Sequence, residues 1–194
     1  MLRKALISIT LLFPFNNALA GAIDFRVGSD VAELTFLTQT ATFGYGGADI
    51  GFGALINNEN DVIASGSILV SGSGTGDVKA LQFGVGAKAY AGTLEGPGSG
   101  SIDVDGGAIA IGARIRYVFP GNAPLAVLGE VFYAPEVTNI SDFDGLVEYR
   151  IALELEVTPS ARAYIGYRYL EVTFSDNIEY EVDDAAHVGV RFEF

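Results

Sequence analysis

His187 is the only histidine in the chain, so nucleophilic or acid–base chemistry would most simply begin there. Acyl hydrolysis or transfer needs a nucleophile held beside a base. No serine stands two residues from His187 at matching parity. That position is Gly189, and a partner from another strand stays open. A lone histidine of this kind is more often a polar filler than a general base. Glu154 and Glu156 share one face, but nearby arginines make them ion-pair partners rather than an acid–base dyad. Two acidic clusters, Asp142 with Asp144 and Asp176 with Glu179, Glu181, Asp183 and Asp184, carry the oxygen ligands that Ca²⁺ or Mg²⁺ prefers. Neither shows the regular spacing of a calcium loop, and a solvated, repulsive loop is the plainer reading. Gly72 to Gly76 lacks the lysine and following helix of a phosphate loop. Cysteine is absent, which removes disulfides, thiolate metal sites and a lipoprotein anchor. These residues predict no enzyme, no cofactor and no metal site.

The elements that carry them are strands. From Gly107 to Phe119, Ile109, Ile111, Ala113, Ile115, Tyr117 and Phe119 face one way, and Ala108, Ala110, Gly112, Arg114 and Arg116 the other. A period of two places successive side chains on opposite faces of a strand. Leu146 to Val157 repeats the pattern, with Glu148, Arg150, Ala152, Glu154 and Glu156 on the polar face. Ala161 to Tyr169 does so with Arg162 and Arg168, Leu81 to Ala91 with Lys88, and Leu125 to Tyr133 with Glu130. The first half is less regular. Ala48 to Ile56 and Val62 to Val70 are rich in Gly and Ser. Ala32, Leu34 and Phe36 alternate opposite Glu33, and Ile23, Phe25 and Val27 alternate with Asp24 and Arg26. Phe43 and Tyr45 have the wrong parity for Ile50 and Phe52, which a bulge at Gly46-Gly47 would repair.

The first 20 residues read as a cleaved secretory signal. Arg3 and Lys4 precede an apolar stretch from Ala5 to Phe15, and Ala18-Leu19-Ala20 is a small-x-small cleavage site. Residues 21–194 then form a single domain. Its charge is −15, with nine basic against 24 acidic residues, compared with −13 for the whole chain. Such a balance excludes nucleic acid, whose phosphates need a basic surface. No run of apolar residues is long enough for a spanning helix.

Alternation alone also suits a soluble sandwich or lipocalin-like barrel. The cations discriminate. Arg26, Lys88, Arg114, Arg116, Arg150, Arg162, Arg168 and Arg191 all lie within strands opposite the apolar face, and only Lys79 sits in a turn. In lipid each cation on the wrong face near the midplane costs ~2–4 kcal/mol, and this parity avoids that cost. The last strand adds His187, Gly189, Phe192 and Phe194, a polar-x-Gly-x-x-aromatic-x-aromatic arrangement. It resembles the terminal signal by which outer-membrane barrels are recognised by their assembly machinery. Tyr117, Phe119 and Phe194 fall at one rim, and Tyr133, Tyr149, Tyr167 and Tyr169 toward the other, as aromatic girdles do.

The fold expected is therefore all-β: a closed antiparallel transmembrane β-barrel of eight to ten strands in the outer membrane. Pro120 to Pro124 and Thr158 to Ser160 are short periplasmic turns. The segments 93–106, 135–145 and 173–183 are longer, acidic extracellular loops. Eight strands would begin near Phe43. Ten use every alternating segment, and ten is the count we favour.

Gly129-Glu130-Val131-Phe132-Tyr133-Ala134-Pro135-Glu136 resembles the Gly-Glu-Gly-Tyr-Tyr-Ala-Pro segment of the YfaZ-like outer-membrane proteins. Ile165-Gly166-Tyr167-Arg168-Tyr169-Leu170 resembles their Val-Gly-Tyr-Arg-Tyr-Leu strand. The resemblance covers residues 107–194 and implies location and fold, but no chemistry.

Opposite charges on neighbouring strands pair across a small barrel, and at eight to ten strands side chains nearly fill the interior. Lys88, Arg114, Arg116, Glu130, Glu148, Arg150, Glu154, Glu156, Arg168 and Arg191 thus predict a salt-bridged lumen with a structural role. A narrow polar channel for small solutes or ions is the alternative, and a lipid-modifying enzyme a more distant one. The partners expected are outer-membrane lipids, lipopolysaccharide (bridged to the acidic loops by divalent ions) and the barrel assembly machinery.

Overall fold

The computed structural model describes residues 21–43, 46–74, 80–95, 103–121, 124–141, 143–174 and 178–194. The signal segment 1–20, Tyr45, Thr75, Gly76, Lys79, Asp142 and Asp176 lie outside the described residues. The strands are β1 (Gly21–Gly28), β2 (Val31–Phe43), β3 (Gly46–Asn57), β4 (Val62–Ser73), β5 (Leu81–Glu95), β6 (Asp103–Val118) and β7 (Leu125–Ala134). A 3₁₀ turn (Glu136–Thr138) leads into the short β8 (Asn139–Ser141), followed by β9 (Phe143–Thr158), β10 (Ala161–Phe174) and β11 (Ile178–Glu193).

Each wall strand pairs antiparallel with its neighbour, and β1 pairs with β11 from Ala22↔Glu193 to Gly28↔His187. The amides of Gly21 and Phe194 exchange hydrogen bonds of 2.9 Å and complete that seam. β8 pairs only with Gly106–Ala108 of β6 and stands outside the closing order. The wall is thus a closed ten-stranded barrel.

Ten strands resolve the count left open at Phe43. That residue ends β2 instead of opening the third strand. A change of strand, not a bulge at Gly46-Gly47, separates the two parities: the register through Gly46 and Gly47 is continuous with both β2 and β4. The irregularity lies in β2, between Gln39 and Ala41.

The strands also run further outward than their alternation alone suggests. β10 continues to Phe174, and β11 begins at Ile178. Much of the expected 173–183 loop is therefore ladder, and the same holds for 93–106, where β5 reaches Glu95 and β6 starts at Asp103. On that side the β1–β2 and β3–β4 connections are tight. Asn57 closes the latter by accepting the amides of Glu59 and Asp61, with Asn60 left-handed at φ 66°.

The pattern inverts where the wall leaves the membrane. Along β10, Ile165 and Tyr167 point outward and Arg168 inward, as lipid requires. Beyond Tyr169, Leu170, Val172 and Phe174 are buried inside, while Glu171 and Thr173 take the outer parity. Water now surrounds the wall, so apolar side chains turn in and polar ones out. Val182 is the extra residue of a β11 bulge opposite Leu170–Glu171, which leaves Val182 and Asp183 both facing inward.

Glycines on the inner face make room for large neighbours. A Cβ at Gly189 would lie 2.2 Å from the Tyr164 ring. Gly189→Ala should displace that ring and cost ~1–3 kcal/mol, as overpacking does. Urea unfolding in lipid vesicles measures it. An unchanged midpoint would show that the ring moves freely.

Candidate functional site

The interior has three levels. At mid-height lies the ionic network. Arg168 of β10 is its centre, only 1% exposed. Its Nε donates to Glu148 at 2.7 Å, and its Nη1 reaches Glu33 at 3.1 Å and Asp183 at 3.4 Å. Glu148 of β9 also accepts from Lys88 of β5 at 2.7 Å and from the Tyr90 hydroxyl. Arg26 of β1 pairs with Glu33. Below them Glu130 of β7 takes Arg114 at 2.6 Å and Arg150 at 2.8 Å. Glu154 takes Arg116 at 2.6 Å, reaching across β7. Asp24 takes Arg191 at 2.8 Å and the Tyr164 hydroxyl at 2.5 Å. Removing either member of such a pair leaves a charge uncompensated in a low-dielectric interior, so the two are kept or lost together.

Nine of the ten charged residues read from the sequence therefore meet in the lumen. Glu156 does not. It lies exposed near the periplasmic end of β9, opposite Arg162 in register, while Arg162 pairs with Glu193 at 2.7 Å. Asp24, Arg26, Glu33, Tyr90, Tyr164 and Asp183 complete the network. Asp24, Arg26 and Glu33 share the inner parity of their strands. Asp183 was assigned to a solvated loop, and the β11 bulge carries it inside. His187 is buried, with no hydrogen-bond partner for its ring nitrogens among the described residues and its ring edge-on to Tyr164 at 5.9 Å. Among the described residues no serine or threonine hydroxyl hydrogen-bonds to it. Along the same strand, Phe192 and Phe194 face outward.

Above the network the lumen is apolar. Leu94, Leu170 and Val172 are fully buried, and Phe132, Phe143, Leu146, Phe174 and Val182 pack with them. Over this layer, the Tyr180 hydroxyl lies between Glu59 and Asp61. Burial, reinforced by those carboxylates, pushes its proton affinity up. Among the described residues no group of acidic side chains is arranged to hold a metal ion.

Below the network the barrel opens. A cavity of about 820 Å³ is lined by residues of both barrel halves and reaches up to Arg114, Arg116 and Arg191. A smaller space of about 70 Å³, which shares Leu37, Arg114 and Arg191 with it, lies within the network.

The outer surface completes the description. Ile111, Val131, Ile151, Leu153, Ile165 and Val188 form an exposed apolar belt. Tyr117, Phe119 and Phe194 edge it below. Tyr133, Tyr149, Tyr167 and Tyr169 lie above, with Tyr149 stacked on Tyr169 at 5.0 Å. A closed barrel with an apolar belt, aromatic rims and an ionic interior is an outer-membrane β-barrel, and the protein is exported to that membrane. The chain belongs to the family of the YfaZ precursor, whose model matches residues 4–194. No curated protein matches it. Among solved structures it is similar to the NanC porin, at 15% identity and a TM-score of 0.49, over 91% of this chain and 100% of that one. It is also similar to the outer membrane channel DcaP of Acinetobacter baumannii, at 11% identity and a TM-score of 0.44, over 88% of this chain and 54% of that one. The chain spans about half the length of DcaP.

Proposed function

We propose that this protein is a sealed structural barrel, whose lumen holds the wall together and does not conduct at rest. One observation carries the reading. The closing layer consists of strand side chains, with Leu94, Leu170 and Val172 at 0% exposure directly above the Arg168 network. An ion crossing that layer would lose its water without compensation. The network is read as stabilising rather than catalytic, because its carboxylates are occupied by cations and no serine or threonine hydroxyl among the described residues hydrogen-bonds to His187. In the same reading the outward Phe192 and Phe194 serve assembly, and the barrel's partners are outer-membrane lipids.

Planar bilayers test the proposal. Refolded protein, shown to be folded by its shift on an unboiled gel, should leave the bilayer at baseline conductance. Reproducible unitary steps would overturn the sealed barrel in favour of the narrow polar channel.

A further inference from the structure

We propose that the periplasmic cavity is a binding site for a small polyvalent oxyanion, of the carboxylate or phosphate class. The proposal goes beyond the sealed lumen, since a cup closed at its base binds without conducting.

The two ends of the ion pairs meet the cavity unequally. Arg114, Arg116, Arg162 and Arg191 line it. The carboxylates that pair with three of them, Glu130, Glu154 and Asp24, do not, and their side chains are no more than 10% exposed. The guanidinium side chains are 13–26% exposed. The pairs are therefore oriented, with positive ends toward periplasmic water and negative ends buried.

A guanidinium has five N–H donors in a fixed fork, and one carboxylate engages about two of them. Donors remain on each arginine for a second anion, the arrangement in which Arg recognises carboxylate and phosphate. Two acidic side chains, Asp49 and Glu193, also line the cavity. Glu193 is held by Arg162 at 2.7 Å, and Asp49 lies on the opposite wall beside Ser71. Among the side chains that line it, four cations face two acids, and the carboxylates paired with Arg114, Arg116 and Arg191 lie outside the lining, so the cup presents the positive ends of ion pairs. Low-dielectric walls focus that field on the mouth. The facing wall carries Ser71, Ser73 and glycines, which leave space for a ligand rather than filling it. A volume of about 820 Å³ falls in the range of small-molecule sites.

The test uses the full mature barrel in nanodiscs at physiological salt, titrated by calorimetry with inorganic phosphate and, separately, with citrate. Saturable binding of one or both is expected, and the two arms tell a phosphate ligand from a polycarboxylate. The double variant R114Q/R162Q should weaken it at least tenfold. It should still fold, because Glu130 keeps Arg150 and the Arg162 pair stands at the rim. Failure of both probes to bind, or equal binding by the variant, would overturn the site.

A second readout exploits the absence of cysteine. In a Ser73→Cys variant an anionic thiol reagent should react several-fold faster than a cationic one of equal size. R114Q/R162Q should abolish that preference. A preference for the cationic reagent would also overturn the proposal. None of these outcomes depends on conductance, so the site and the sealed lumen stand or fall separately.

Discussion

Replacing Arg168 with methionine should cost the barrel ~3–5 kcal/mol, the usual consequence of removing one partner of a buried ion pair. The side chain is 1% exposed and faces Glu148, Glu33 and Asp183. Methionine fills much of its volume, so the loss isolates charge from packing. Glu148 would retain Lys88 at 2.7 Å and Glu33 would retain Arg26, but Asp183 has no other ion pair among the described residues. Set against a typical total stability of roughly 5–15 kcal/mol, this is a large fraction. Arg168→Lys should fall between the two, because a point charge does not span three carboxylates as a planar fork does. Arg162→Met, at the wetter rim, should change stability by no more than ~1 kcal/mol. Unfolding in urea across lipid vesicles, followed by gel mobility because the chain has no tryptophan, gives all three values. Equal effects of Arg168→Met and Arg162→Met would show that the network contributes nothing special.

Arginine in place of Ile151 should cost ~2–4 kcal/mol, whereas arginine in place of Val157 should cost only ~0–1 kcal/mol. The two positions are on the same strand and the same face, and their exposures are close, 57% and 61%. They differ in depth. Ile151 is paired with Gly129 and Tyr167 in the middle of the wall, and Val157 lies one residue from the periplasmic end of β9. In water the pair would behave alike, since an exposed position tolerates arginine wherever it stands. A depth-dependent difference is thus a signature of lipid. Equal costs in refolded vesicles would contradict the placement of the belt.

Much of this architecture was legible because lipid imposes one rule over many residues. Within the membrane the inner face must be polar and the outer apolar, so Arg114, Arg116, Glu130, Glu148, Arg150 and Arg168 declared their side by parity alone. Pairing partners across the barrel were less accessible. Lys88 to Glu148 and Arg116 to Glu154 join strands that are not neighbours, and only the closed curvature brings them within reach.

Asp183 was hidden for a different reason. A bulge puts it and Val182 on one face, which no strict alternation produces. The apolar layer was hidden by the change of solvent. Leu170, Val172 and Phe174 continue the parity of Arg168 with opposite polarity, so a reading that expects polar side chains inside stops at Tyr169. That reversal marks the depth at which the wall emerges from the bilayer.

The same layer bears on how such a barrel could change over generations. If the lumen is sealed as proposed, the seal is carried on strands that the wall needs anyway, and its fully buried members include the side chains of Leu94, Leu170 and Val172. Shortening them would alter no hydrogen bond of the ladder. Closure and permeability are therefore close neighbours in sequence space, separated by side-chain volume on a common backbone.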